Sequence, residues 1–185
     1  MRKLVTWDMM TLDGYFEGTS PWSLDFHAVV WGDELEAYSL KQLDEAGTLL
    51  FGRRTFEGMA RHWSAETGAI ADRMNAMEKV AATRNGTTAK WSNARVLKGD
   101  ISDHIASLKA QADKKDIFVF GSADLTATLL ESQAVDEIRV CLVPIVLGGG
   151  NPLFKDDGVR KDLRLVEARP FSSGGVLLRY VRAEA

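Results

Sequence analysis

Leu49-Leu50-Phe51-Gly52-Arg53-Arg54-Thr55-Phe56-Glu57 reads as a strand that runs straight into a helix. The apolar run breaks at Gly52, and two arginines and a threonine open the helical part. Such a junction brings backbone N–H groups, guanidinium charge and a hydroxyl to one point, which is the chemistry of a phosphate site at a helix N-terminus. Gly-Arg-Arg also occurs in plain strand-to-helix turns, so the flanking segments decide between the two readings.

Upstream, residues 3–11 read as a strand, followed by a loop rich in Gly, Ser and Pro as far as Pro21. Residues 33–46 have helical spacing, with Leu35, Tyr38, Leu43 and Ala46 on one stripe. Residues 48–51 form a short apolar strand and 54–61 a short helix. A helix over 69–77 and strands over 79–83 and 95–98 come next. Ser102 is placed to cap a helix whose apolar positions are Ile105, Leu108 and Ala112. Ile117-Phe118-Val119-Phe120 is apolar throughout, as a strand buried on both faces of a parallel sheet would be. Gly121 ends it, and Ser122 is placed to cap a helix over 123–131. This alternation predicts an α/β sheet.

The last third changes character. Residues 137–146 read as a long strand, and Pro144 within it implies an edge or a bulge. Segments 163–169 and 176–182 flank Ser172-Ser173-Gly174-Gly175, a hairpin signal. Parallel units closed by an antiparallel end make a mixed sheet, and no repeat or linker divides residues 1–185, so a single domain is expected.

Composition excludes several classes. The chain has 185 residues, 45% hydrophobic and 26% charged, with net charge −3, so it lacks the basic stripe that duplex nucleic acid requires. One cysteine, Cys141, permits neither an internal disulfide nor a thiolate metal cluster, and its apolar context marks a buried, inert thiol. His27, His62 and His104 match no metal-ligand spacing, and no metal is expected. No Gly-x-Ser-x-Gly elbow is present. The N-terminal stretch is interrupted too early by Asp8 to read as a signal peptide, and no apolar run reaches membrane-spanning length, so the cytoplasm is the expected compartment and no membrane partner is expected.

Ligands of open α/β sheets collect at the carboxyl ends of strands, where four loops of interest lie. Leu12-Asp13-Gly14-Tyr15 succeeds the first strand, with Gly14 free to approach a ligand and Tyr15 offering a flat face. Gly52-Arg53-Arg54-Thr55 is the second. Ala82-Thr83-Arg84-Asn85 offers a hydroxyl and a guanidinium. Gly121-Ser122-Ala123-Asp124-Leu125 opens a helix able to present N–H groups to a pyrophosphate. Each also reads as an ordinary turn or capped helix. Gly148-Gly149-Gly150 fits no phosphate fingerprint and reads mainly as a turn. Trp7, Trp22 and Trp31 surround the first loop and could wall a planar substrate.

Taken in order, these segments resemble the dihydrofolate reductase-like superfamily, and within it stand-alone relatives of the C-terminal reductase domain of the bifunctional riboflavin-biosynthesis deaminase/reductase. The resemblance is carried by Thr11–Tyr15, Phe51–Met59, Val119–Leu125, Val135–Arg139 and Pro144–Phe154. It implies an α/β fold with a mixed, mostly parallel sheet of about eight strands flanked by helices, antiparallel C-terminal strands, a homodimer, and NADPH outside the strand ends. It also implies that Gly52, Arg53, Arg54 and Thr55 bind the adenosine ribose-phosphate or the pyrophosphate, with Thr83 and Arg84 on the adenosine side. Gly121, Ser122, Ala123, Asp124 and Leu125 would cradle the pyrophosphate, and Leu12, Asp13, Gly14 and Tyr15 would border the nicotinamide. Paired arginines favour the 2′-phosphate of NADP, because that extra dianion needs guanidinium partners. The chain departs from the riboflavin-pathway pattern in carrying Phe120 where a substrate-binding glutamate is typical, and the deaminase half is absent. The pterin-binding acid of true dihydrofolate reductases has four candidates, Asp25, Asp33, Glu34 and Glu36, which spacing does not rank.

The expected activity is an NADPH-dependent reduction of a C=N or C=O group on a small planar, pterin- or pyrimidine-like, or carbonyl substrate. Trp7 and Trp22 are the expected substrate-side residues. Asp8, on a strand face with Leu4, Thr6 and Met10, is the candidate proton donor and would need a pKa raised by burial. Asp13 is expected to fix its turn. The alternatives are a non-catalytic NADP(H)-binding dimer acting as sensor or scaffold, and a dimerisation module without ligand. Cys141, Val143 and Ile145 share a late strand face that would serve either a dimer interface or the core.

Overall fold

In a computed structural model, which describes residues 1–112, 115–156 and 158–183, one eight-stranded sheet runs through the chain in the order β5-β4-β3-β6-β1-β7-β10-β9. Strands β1 (Leu4–Thr11), β3 (Ala46–Gly52), β4 (Glu78–Thr83), β5 (Ala94–Lys98), β6 (Asp116–Phe120) and β7 (Glu137–Val143) lie parallel. Strands β9 (Leu163–Pro170) and β10 (Val176–Arg182) complete one end antiparallel, as the hairpin signal predicts. A separate two-stranded ribbon pairs β2 (Tyr15–Glu17) with β8 (Asn151–Pro152). It was invisible in the sequence, being five residues split between two loops.

Helices cover both faces. Cores form above and below because the central strands carry apolar side chains on each side. Leu4, Leu50, Ile117 and Val119 pack with Ile105 and Leu108 of α4 (Ser102–Ala110) and Leu125 and Leu129 of α5 (Ala123–Glu131). On the opposite face, Val5, Leu49, Phe51 and Phe118 meet Leu43 of α1 (Asp33–Glu45), Phe56 and Ala60 of α2 (Arg53–Trp63), and Met74 of α3 (Ala69–Ala76). Cys141 and Val143 lie fully buried there with Trp7 and Tyr38, and Ile145 packs against them, so that late strand face belongs to the core. Burial pushes the Cys141 thiol up to about 11, which makes it inert.

Three local expectations change. Strand β7 ends at Val143, and Pro144 stands just beyond it; β7 is interior, between β1 and β10, so the proline terminates a strand and does not mark an edge. Ser102 is the first helical residue of α4, and its N–H donates to the Asp100 carboxylate, 2.9 Å away, which does the capping. Helix α1 ends at Glu45; Ala46 caps it, its N–H donating to Gln42 O, and at the same time opens β3, and the fourth buried position within α1 is Gln42.

Two buried charges need separate accounts. Glu137 Oε1 accepts from Arg139 Nε at 2.7 Å and Arg179 Nε at 2.8 Å, which holds its carboxyl below the usual range against the desolvation that opposes it. Lys79 has no exposed surface, and among the described residues no carboxylate pairs with it. Its Nζ donates to Asn75 O at 2.6 Å and stands 4.7 Å from the centre of the Trp91 ring; burial lowers its pKa to about 8.

Candidate functional site

The carboxyl ends of β1, β6 and β3, which are neighbours in the sheet, open into one cavity of about 800 Å³. Gly52 to Thr55, Gly121 to Leu125, Trp7, Asp8 and Trp22 all line it, so residues from three sequence-distant loops converge there. That volume lies within the range typical of small-molecule and cofactor sites.

At one end stand the starts of α2 and α5. The Gly52 N–H donates to Ser122 Oγ at 3.0 Å, tying the two loops together. Ser122 adopts a left-handed conformation, φ 67°, and its hydroxyl makes no capping bond to its own helix. The expected cap is thus a clasp between neighbouring strand ends. Arg53 Nε donates to Glu57 Oε1 at 3.0 Å, and Thr87 Oγ1 donates to the same oxygen at 2.8 Å; together they hold the Glu57 carboxyl below its ordinary value. Arg54 is exposed, and among the described residues it has no carboxylate partner. Lys155, to which no sequence motif points, reaches the rim with Nζ 2.5 Å from Asn151 Oδ1 and 3.5 Å from Asp124 Oδ1. Helix N-termini, a free guanidinium and a lysine make this end attractive to anions.

The other end is aromatic. Trp7, Trp22, Trp31 and Trp63 contribute to its wall with Phe16 and Phe120. Trp22, also in a left-handed conformation, φ 65°, lays its ring on Gly58 of α2: a Cβ built there would stand 1.7 Å from Trp22 Cζ2. Only glycine leaves room for that seat. The Trp22 N–H donates to Glu17 Oε1 at 2.6 Å, and Asn151 Nδ2 donates to Glu17 Oε2 at 3.2 Å, so the short ribbon anchors the loop that carries the tryptophan.

Asp8 is buried at the floor. Burial pushes its carboxyl well above the usual range, and the Gly121 N–H pulls only weakly in the other direction. A carboxyl raised in this way keeps its proton to higher pH than a solvated one, which is the property a proton donor needs. His27 also lines the cavity; burial lowers it to about 4, against the pull of Asp25, so it is neutral, and its Nε2 is buried without a partner. Gln42 lines the cavity from α1 and leaves Nε2 equally unpaired. Neither residue belongs to a metal-ligand cluster; the described residues contain none.

Other candidates sit elsewhere. Leu12, Asp13, Gly14 and Tyr15 do not line the cavity; Phe16 and Glu17 do. Asp13 accepts from Thr11 Oγ1 at 2.7 Å, Gly148 N at 2.8 Å and Leu147 N at 3.1 Å, bonds that lower its pKa to about 2. It fixes its own turn, as expected, and the triple-glycine turn as well. Thr83 and Arg84 also lie outside the lining; Thr83 Oγ1 donates to Gly86 O at 3.2 Å. None of Asp25, Asp33, Glu34 or Glu36 lines the cavity, and Glu34 is engaged by the Ser172 N–H at 2.6 Å.

The chain is similar to known proteins along nearly its whole length. It is 30% identical to the uncharacterized protein YyaP of Bacillus subtilis (strain 168), over 97% of this chain and 94% of the relative. A putative riboflavin biosynthesis protein from Shewanella sp. PV-4 superimposes with a TM-score of 0.79 at 18% identity, covering 98% of this chain and 99% of the other. Dihydrofolate reductase from Enterococcus faecalis, solved with NADP(H), superimposes with a TM-score of 0.66 at 15% identity, covering 98% and 97%. These two establish the dihydrofolate reductase-like fold that the ordered motifs imply. The RibD C-terminal domain model matches residues 2–177, spanning every strand end that feeds the cavity, and the chain belongs to that family.

Proposed function

We propose that this protein is an NADPH-dependent reductase acting on a small planar substrate with a C=N or C=O group. The observation that carries the reading is that one cavity gathers two helix N-termini with Arg53 and Arg54, the buried carboxyl of Asp8, whose pKa burial raises, and the rings of Trp7 and Trp22. The residues present fit the cofactor: Gly52 to Thr55 and the start of α5 would hold its phosphates, with Lys155 beside them. When bound, the cofactor supplies a hydride. This chain's residues exclude water, orient the flat ring against Trp7 and Trp22, and protonate the reduced atom from Asp8. That the E. faecalis reductase is solved with NADP(H) supports the assignment.

Titration with NADPH and NADH, monitored by tryptophan quenching, tests it. Micromolar NADPH binding, much weaker NADH binding, and a loss of about 10- to 100-fold for NADPH in the Arg53→Ala, Arg54→Ala double variant are expected, since a charge-assisted hydrogen bond contributes about 1.5–3 kcal/mol. Binding of neither nucleotide defeats the reading. NADPH binding with no reduction across a carbonyl and imine panel returns the sensor alternative.

We infer a homodimer as well, and a cytoplasmic location. Strand β9 is an eight-residue edge strand with Leu163, Leu165 and Val166 exposed, an edge that calls for a partner. Light scattering on wild type and Leu165→Lys tests it; a monomeric wild type refutes it.

A further inference from the structure

We propose that Glu17 and Asn151 are positioning residues that couple the two ends of the cavity. They belong to a hydrogen-bonded chain, Lys155 to Asn151 to Glu17 to Trp22, which firms the Trp22 wall when phosphates occupy the start of α5. The inference rests on the cofactor reading above and adds a regulation of that same site.

The chain follows from the register of the short ribbon. β2 and β8 set Glu17 opposite Asn151, so their side chains meet across the antiparallel pair. The two loops approach closely: a Cβ built on Gly150 would stand 2.4 Å from Glu17 O. Lys155 lies four residues beyond Asn151, and its Nζ donates to Asn151 Oδ1 at 2.5 Å. Asn151 Nδ2 donates to Glu17 Oε2 at 3.2 Å, and Glu17 Oε1 accepts from the Trp22 N–H at 2.6 Å. Each link has only one direction available. An ammonium and a backbone N–H only donate and a carboxylate only accepts, so the amide turns its oxygen to Lys155 and its nitrogen to Glu17.

Both ends of the chain are built to respond. Trp22 is 38% exposed and sits at φ 65°, a region that a side chain adopts only under constraint. Gly58 gives its ring a seat, but the backbone of the turn is held by the Glu17 carboxylate. At the other end, Lys155 spends one N–H on Asn151. Its second contact, Asp124 Oδ1 at 3.5 Å, is to a side chain 85% exposed, and an exposed pair of that kind holds a long side chain loosely. Asp124 stands in the first turn of α5, where the cofactor's phosphates are placed. A phosphate there gives the ammonium a stronger second anchor and leaves Asn151 its bond, because three N–H donors serve both. Fixing Lys155 fixes the amide, and the amide fixes the carboxylate that holds the turn. The element with two states is thus the Trp22 turn, held or loose. Phosphates at α5 and a ring bound against Trp22 favour the same held state, so each tightens the other.

The test uses protein labelled with 5-fluorotryptophan, in which the Trp22 fluorine resonance is identified by its loss in Trp22→Phe. The ligand is 2′-phospho-ADP-ribose, which carries the cofactor's phosphates without the nicotinamide. Spectra are compared without ligand and at saturation, so a changed affinity does not enter. In wild type, saturation should shift and narrow the Trp22 line. In Glu17→Gln, whichever way the two amides turn, one link joins two donors; in Asn151→Asp, two carboxylates face each other. Each single variant should lose the Trp22 response. The double variant, Glu17→Gln with Asn151→Asp, reverses the middle link and keeps both outer ones, so it should recover the response. A merely structural role predicts instead that two substitutions do more damage than one. The inference is overturned by a wild-type Trp22 line that ignores the ligand, by a full response in either single variant, or by a double variant no better than the singles. Failure of wild type to bind the ligand at all is a separate outcome that removes the cofactor reading first and this one with it.

Discussion

Replacing Lys79 by methionine should make this protein more stable. The lysine lies with no exposed surface, and its pKa falls from 10.5 to about 8, so the folded state opposes its protonation by about 2.5 pH units. At about 1.4 kcal/mol per unit this is about 3.5 kcal/mol at most. The Trp91 face 4.7 Å away returns about 1 kcal/mol, and relaxation around the ammonium lowers the figure further, leaving about 2 kcal/mol at pH 7. Methionine matches the stem's volume and removes the charge. Asn75 O, which Lys79 serves at 2.6 Å, keeps its bond from Ser92 Oγ at 2.9 Å, so no acceptor is orphaned. A gain of about 2 kcal/mol corresponds to about 4–8 °C in the thermal midpoint for a chain of this size. The pH dependence gives a second readout. Because the folded pKa lies below the unfolded one, the unfolded state binds more protons between about pH 8 and 10.5, and wild-type stability should rise across that window, subject to other groups that titrate there. The Lys79→Met variant should lack this component of the rise. Urea unfolding at pH 7, 8, 9 and 10 measures both. A lower midpoint for the variant at pH 7, or the same slope in both proteins, would refute the argument that Lys79 is held against its charge.

Asp8→Asn should abolish most turnover at neutral pH while leaving NADPH affinity unchanged; wild-type activity should fall as pH rises through the raised Asp8 pKa, and a rate profile lacking that limb would remove Asp8 as the donor. Since that carboxyl is raised in the folded state, its protonated form stabilises the fold, and the contribution should fade as pH climbs from about 4 through the folded pKa, a loss the asparagine variant does not show. Gly58→Ala should unseat Trp22, seen as a shift in tryptophan emission and a weaker substrate KM at unchanged NADPH affinity; an unchanged emission spectrum would mean the ring does not rest there in solution. Glu137→Gln should destabilise by about 1–3 kcal/mol, because Arg139 and Arg179 lose their shared carboxylate while keeping Glu45 and Glu167; an unchanged urea midpoint would count against the buried network.

What could be read in the sequence was what short segments determine. Gly52 to Thr55 and Gly121 to Leu125 announce strand-to-helix junctions from their own composition, and both line the cavity. The apolar run of residues 117–120 declares a strand covered on both faces, and β6 is such a strand. Misreadings arise where a side chain's partner is distant in sequence. Ser122 looks like a cap for its own helix because the donor that claims its hydroxyl, Gly52 N–H, lies 70 residues away. Gln42 interrupts an apolar stripe and gives no periodic signal; its meaning depends on Arg139, 97 residues on. Leu12 to Tyr15 stand at a strand end, yet the chain advances one more turn before Phe16 and Glu17 reach the cavity. Trp22 was legible as an aromatic near the site, but its seat on Gly58 required knowing that α2 passes beneath it.

The clasp between Gly52 and Ser122 sets a rule for how this lineage can drift. At φ 67° the backbone favours glycine, and any side chain there carries strain of about 1–2 kcal/mol. Serine survives because its hydroxyl satisfies the Gly52 N–H at a junction where two strands end side by side. A mutation to glycine would relax the backbone and, in the same step, orphan that donor, while one to alanine would keep the strain and lose the bond. Serine at 122 is therefore a local optimum with unfavourable steps on these two sides. The position can change freely only after something else, a water or a ligand oxygen, has taken over the donor it serves.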